Sequence, residues 1–272
     1  MTPQGRLRAA LSGADVVAFA PLAWARLPEF LHVTRTSAFW LEVGTMQRLL
    51  GDAASVCMSD ACVVPLLPRL RDPEGSGTPA EASPVPAPAG QVPAPAGQVP
   101  APAGQVPASA ATPRAADEIV TLPEVTAAVF LLRRLADVGQ TGLVAELPPL
   151  ASLATLIADP VPEDIEDALT DLVRAGVEAG AQAIVIRGTD RQEVARTVSA
   201  IAPLADFYGA KALGIDGERG WAADNCCPVG LLGRDGQWPK LARGVVLTAG
   251  DVTDWWTPHD MRAVLRERPD TS

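Results

Sequence analysis

Lysine is almost missing from this chain: Lys211 and Lys240 are the only two in 272 residues. Arginine supplies the rest of the positive charge, and acids outnumber bases 32 to 22, for a net charge of −10. That balance argues against a general nucleic-acid binder, which needs clustered basic side chains on phosphates. It argues equally against a polybasic membrane anchor. An acidic ligand is admitted only where basic groups converge locally. Aromatic residues are scarce, at 4%, so the core must be built largely from Ala, Val and Leu. Four cysteines (Cys57, Cys62, Cys226 and Cys227) are too few for a disulfide scaffold at this length. Two histidines, His32 and His259, limit metal-ligand sets. No window approaches the roughly 20 uninterrupted apolar residues of a membrane helix, and no basic segment followed by a long apolar stretch opens the chain. The expectation is a soluble protein in a reducing, cytoplasmic setting, with no nucleic-acid or membrane partner.

Hydrophobic residues reach 48%, enough for a sizeable core. Between the apolar segments lies a low-complexity insert, read as 72–116. Pro86-Ala-Pro-Ala-Gly-Gln-Val92 recurs as Pro93–Val99 and Pro100–Val106. A seven-residue period built on proline is no coiled coil, because proline removes helix donors and clashes with the preceding turn. The insert is expected to be extended, solvated and disordered, with polyproline II character, and to act as a spacer. It divides one domain into a first part, 1–71, and a remainder, 117–272.

The apolar pattern alternates between strands and helices. Asp15–Ala20 reads as a strand, Leu27–Leu50 as largely helical, and Ser55–Asp60 as a second strand ending on a carboxylate. After the insert, Pro123–Val138 reads as a helix and Thr141–Glu146 as a strand. Leu150–Ile157 and Pro162–Ala179 read as helices, the second with early acids suited to the positive end of its dipole. Ala183–Arg187 is a strand and Gln192–Tyr208 a helix. Lys211–Asp216, Pro228–Leu232 and Val245–Thr248 are further strands. At the end of the chain, Thr257 can cap a helix whose first position is Pro258, where a missing N–H is harmless. Strands alternating with helices predict a parallel sheet covered by helices. Seven such strands suit an α/β fold of the (β/α)₈ TIM-barrel type with one βα unit missing. An open doubly wound sheet is the competing architecture. No Gly-x-Gly-x-x-Gly follows the first strand, so a dinucleotide site is unsupported.

Several segments, in order, resemble the uroporphyrinogen decarboxylase superfamily. Ala23-Trp-Ala-Arg-Leu-Pro-Glu-Phe30 is similar to that family's arginine-containing segment ending in Leu-Pro-Glu-Tyr/Phe. Asp52–Asp60 is similar to its second-strand segment ending in Ser-Asp. Asp117–Pro123, Pro148–Ser152, Glu178–Ile186, Lys211–Asp216 and Gly244–Leu265 have counterparts too. The resemblance implies a barrel with its site at the strand C-termini and a carboxy-lyase that decarboxylates an acidic tetrapyrrole, or a related carboxylated small molecule, without metal or organic cofactor. Asp60 matches the carboxylate that stabilises the protonated ring. Arg26 and Arg187 would receive substrate carboxylates through fork-like hydrogen bonds. Asp216 and Asp251, each closing a strand, would complete the substrate site.

Two further readings stand beside it. Where the family places two arginines, this chain has Pro21 and Ala25, and its closing-turn histidine is replaced by Asp251. These departures favour a diverged, non-catalytic barrel that binds a small ligand or a protein partner. The superfamily's corrinoid-linked methyltransferase branch requires a His-x-Cys pair for zinc. Neither histidine here lies two residues before a cysteine. Cys57, Cys62 and the Cys226-Cys227 pair read as small buried side chains. Trp255 and Trp256 either cover one mouth of the barrel or make a subunit contact, which leaves a homodimer open.

Overall fold

The structure is a computed structural model in which residues 1–24, 27–31, 42–68, 114–224 and 227–268 are described. The proline-rich repeats and Arg26 lie outside the described residues. Arg114, read as part of the insert, forms a bridge to Ile157, and a 3₁₀ turn begins at Ala116.

The fold is mixed α/β, with parallel sheets and covering helices. Helix α1 (Pro3–Leu11) is started by Thr2, whose side chain accepts the Gly5 N–H at 3.1 Å, and it buries Leu7, Ala10 and Leu11. Strand β1 (Val17–Leu22) is buried at every position, the pattern of a strand covered on both faces. The short helix α2 (Leu27–Phe30) and the longer α3 (Val43–Val56) precede β2 (Ala61–Pro65). Helix α4 (Pro123–Val138), β3 (Gly142–Leu147), α5 (Leu150–Ala154), α6 (Pro162–Glu178), β4 (Ala183–Arg187), α7 (Arg191–Phe207) and β5 (Lys211–Ile215) then alternate. Three strands follow with no helix between them among the described residues: β6 (Gly220–Ala222), β7 (Val229–Leu232) and β8 (Gly244–Asp251). Helices α8 (Val252–Trp255) and α9 (Pro258–Arg266) close the described chain.

Two hydrogen-bonded sheets result, one in the order β1-β8-β7 and the other β2-β3-β4-β5-β6. Every pairing is parallel except β5 with β6, a tight antiparallel hairpin. The sheets approach each other at two seams. At one, β1 lies against β2, and the Asp60 N–H donates to the Phe19 carbonyl at 2.7 Å. At the other, β6 lies against β7, and Gly220 faces Val229 so closely that a Cβ would stand 2.5 Å from the valine methyl.

The second strand departs from the sequence-based expectation. Ser55 and Val56 belong to α3, and the strand begins after Asp60 rather than ending on it. Helical spacing puts Met46, Leu49, Leu50 and Ala53 on one buried face. The helix ends at Val56 with Cys57 as its cap, and Met58 just beyond takes a left-handed φ of 46°. Short apolar runs do not distinguish helix from strand by periodicity. Here the β-branched Val63-Val64 pair, not Ser55–Met58, forms the sheet.

No helix among the described residues is long and apolar enough to cross a membrane.

Candidate functional site

Strands β2, β3, β4 and β8 end on the same side of the molecule. A cleft of about 620 Å³ opens there. Its apolar wall comes from Pro65 at the end of β2, Leu67 just after it, Leu147 at the end of β3 and Pro149 before α5. Its polar lining comes from Glu146, Ser152, Arg187, Thr189, Asp190 and Glu193.

Arg187 organises this end. It closes an apolar strand, where a charge is costly unless it is paired and hydrogen-bonded. Its Nε donates to Glu146 Oε2 at 3.2 Å. Its Nη1 reaches across to the carbonyls of Thr248 and Ala249 on β8, at 2.8 and 2.9 Å. Both members of the ion pair are well shielded, with side chains 13% and 6% exposed. One guanidinium therefore ties the ends of β3, β4 and β8 together, and the cleft forms beside it.

The helix starts around the cleft are held by side chains as well. Asp190 caps α7 by accepting the N–H groups of Gln192 (2.8 Å) and Glu193 (3.2 Å). Glu193 accepts the Ala151 N–H at 2.9 Å, and the Thr197 hydroxyl accepts the Leu150 N–H at 3.2 Å. These bonds fix the start of α5 against α7. The lining holds three carboxylates (Glu146, Asp190, Glu193) and one guanidinium (Arg187). Glu146 pairs with Arg187, and Glu193 with Arg196 just outside the lining at 3.3 Å, so the cleft keeps about one negative charge in excess, on the Asp190 side. The hydroxyls of Ser152 and Thr189 add groups that can both donate and accept.

Of the residues singled out from sequence, Arg187 lines this cleft, and Arg26 lies outside the described residues. Asp216 is shielded and accepts the N–H groups of Glu218 (3.0 Å) and Arg219 (2.7 Å), so it shapes the β5–β6 turn, with Arg191 at 3.8 Å. Asp251 is buried and accepts from Thr253 N–H (3.0 Å), the Thr253 hydroxyl (2.6 Å) and Trp24 N–H (2.9 Å). It starts α8 and anchors the chain leaving β1.

Asp60 stands at the other end of the strands. Its carbonyl accepts the N–H of Gly142, the first residue of β3, at 2.8 Å, and its Oδ2 accepts the Phe19 N–H at 2.9 Å. Trp24, which binds Asp251, is five residues beyond Phe19. At strand rise five residues span about 16 Å, which sets the two carboxylates well apart along β1 and the two residues beyond it. Asp60 and Asp251 are therefore not brought into one pocket, and Asp60 does not share a cleft with Arg187. The two thiols near Asp60 are shielded. Burial, with smaller contributions from Cys62 and Asp251, pushes the Cys57 thiol up to about 12. Burial pushes Cys62 up to about 11 despite a hydrogen bond with Thr141 that acts the other way.

Sequence reasoning passed over Glu146, although it ends an apolar strand by the same logic that singled out Arg187. Ser152 and Thr189 carry no local signal; only the meeting of α5 with the end of β4 makes them neighbours.

No protein-family model, curated protein or solved structure matches this chain.

Proposed function

We propose that the chain is a closed (β/α)₈-type barrel whose work is ligand binding at the cleft beside Arg187. The circular arrangement is supported by two sheets adjoining at both seams and by the guanidinium spanning β4 to β8. In this reading the β5–β6 hairpin and helix-free β7 stand where a full barrel would carry another βα unit. The ends of the parallel strands then surround one mouth, the usual place for a site in such folds.

The observation that carries the binding reading is the lining itself: three carboxylates to one guanidinium, beside an apolar wall and two hydroxyls. A negative lining repels polyanions and favours small neutral or cationic molecules bearing hydroxyl or amino groups. A thermal-shift panel of polyols, amino alcohols, monocarboxylates and polycarboxylates tests this. Neutral or amine-bearing compounds are expected to raise the melting temperature, and Ser152→Trp, which fills the cleft from α5, is expected to abolish the shift. Stabilisation by polycarboxylates alone would overturn the reading.

The carboxy-lyase reading draws on the family resemblance. It assigns substrate carboxylates to Arg187, which stands at the opposite end of the strands from Asp60, and the arginines that do meet Asp60, Arg268 and Arg6, are engaged as its ion-pair partners. The binding reading therefore ranks ahead. Incubation with uroporphyrinogen, followed by chromatography, is expected to show no loss of carboxylates at high protein concentration. Loss abolished by Asp60→Asn would restore the decarboxylase.

A further inference from the structure

A second cavity, of about 530 Å³, opens at the N-terminal end of the strands, on the Asp60 side. Its volume lies within the range of small-molecule sites. It lies among the start of α1, the last turns of α3 and α4, the Met58–Asp60 turn and Arg268 beyond α9.

Two guanidinium groups meet one carboxylate there. Arg268 Nη2 donates to Asp60 Oδ2 at 2.8 Å, and its Nη1 donates to the Met58 carbonyl at 3.0 Å. The rings of Phe19 and Trp238 lie 5.7 and 5.9 Å from its guanidinium carbon, close enough for cation–π attraction. Arg268 is thus pinned. Arg6 meets Asp60 only at 3.6 Å, with its side chain 32% exposed. Asp60, itself buried, also accepts the Phe19 N–H. One carboxylate cannot neutralise two guanidinium groups, so the charged lining (Arg6, Arg268 and Asp60) keeps one positive charge in excess. This sits in a chain that is otherwise strongly acidic.

The rest of the lining is of a different character. Met58 is 65% exposed and Val138 is 50% exposed, and both border the cavity with Leu135 and Pro3. Large exposed hydrophobes gathered at the rim of a cavity mark a surface suited to an apolar partner. An excess cation at one end and an apolar wall at the other define an amphipathic, singly charged anion.

We propose that this cavity binds a medium-chain alkyl carboxylate. The head group lies against Arg6, on the side turned away from Asp60, and the chain runs over Leu135, Met58 and Val138. The site is separate from the mouth cleft, and either can fail without the other.

Calorimetric titration of the full chain with decanoate tests the proposal, with decanol and acetate as companion ligands. Decanoate is expected to bind at least tenfold more tightly than either, because decanol lacks the charge and acetate lacks the tail. Arg6→Gln is expected to weaken decanoate about tenfold and leave decanol unchanged. Val138→Glu, a change at an exposed position, places a like charge at the rim and should remove decanoate binding. In methyl NMR spectra the Met58 methyl should shift on adding decanoate. Equal affinity for decanol and decanoate, unchanged binding in both variants, or no binding at millimolar decanoate would each overturn the proposal. If Arg6→Gln fails to fold, Val138→Glu and the ligand comparison decide alone.

Discussion

Asp60, Glu146 and Asp251 are all buried carboxylates, and each is held by different partners. Asp251 is satisfied by backbone and hydroxyl donors around a helix start. Glu146 depends on Arg187, and Asp60 on Arg268 with Arg6. Removing one member of a shielded ion pair leaves the other charge uncompensated, which costs more than the pair's net contribution. Asp60→Asn keeps an oxygen for the Phe19 N–H but withdraws the charge from Arg268. It is expected to lower unfolding stability by about 2 kcal/mol in urea titrations. Ligand shifts from the mouth cleft should persist, because that cleft lies at the other end of β1. The thiols give a second prediction at this scale. Thiolate is the nucleophile, and raised values for Cys57 and Cys62 keep both protonated at pH 8. Iodoacetamide labelling mapped by mass spectrometry should leave both unmodified in the folded protein and modify both in denaturant.

Among the elements, α9 carries the clearest terminal signal. The Thr257 hydroxyl accepts the Asp260 N–H at 3.3 Å, and Asp260 Oδ2 accepts the Thr257 N–H at 3.0 Å. Thr257→Ala should cost about 1 kcal/mol, read from the denaturation midpoint. The hydrogen bonds from Thr257 hold the Asp260 carboxyl below its ordinary 3.8. A lowered folded value means that the cap is fully supported above the unfolded value and is lost as pH falls through the folded one. An NMR pH titration of Asp260 should therefore move part of the way up in Thr257→Ala, which loses the hydroxyl donor but keeps the larger contribution of the backbone N–H. This helix start was legible because Thr, Pro and Asp act on neighbouring backbone. So were α4 and β4, whose apolar periods coincide with their ends at Pro123, Val138, Ala183 and Arg187. The boundary of β2 was not, because Ser55–Met58 satisfies both periods and only packing decides. Strand β6 was invisible for a related reason. Three residues carry no period, and their place is set by Trp221, whose ring lies so close to Gly214 on β5 that a Cβ there would stand 2.5 Å from it. For the site, Arg187 was legible because a cation closing an apolar strand must find a partner. The end of the molecule that Asp60 occupies depended on the misplaced strand boundary.

At the scale of the whole molecule, the two sheets meet at β1–β2 and β6–β7, and the Arg187 side chain reaches from β4 to β8. Strand ladders alone leave the sheets separate, so the Asp60 N–H to Phe19 carbonyl bond and side-chain bonds at the strand ends carry much of their connection. The mouth cleft exists because the ends of β3, β4 and β8 are drawn together, and the cavity below exists because Asp60 gathers two arginines at the opposite end. Both sites follow from the same arrangement of strands. The most direct measurement is a double-mutant cycle on stability with Glu146→Gln, Arg187→Leu and their combination. A coupling of about 1.5 kcal/mol or more is expected, as for close, shielded charge pairs. Effects that add to within about 0.3 kcal/mol would mean that the two side chains do not meet in solution, and the cleft built around them would not exist.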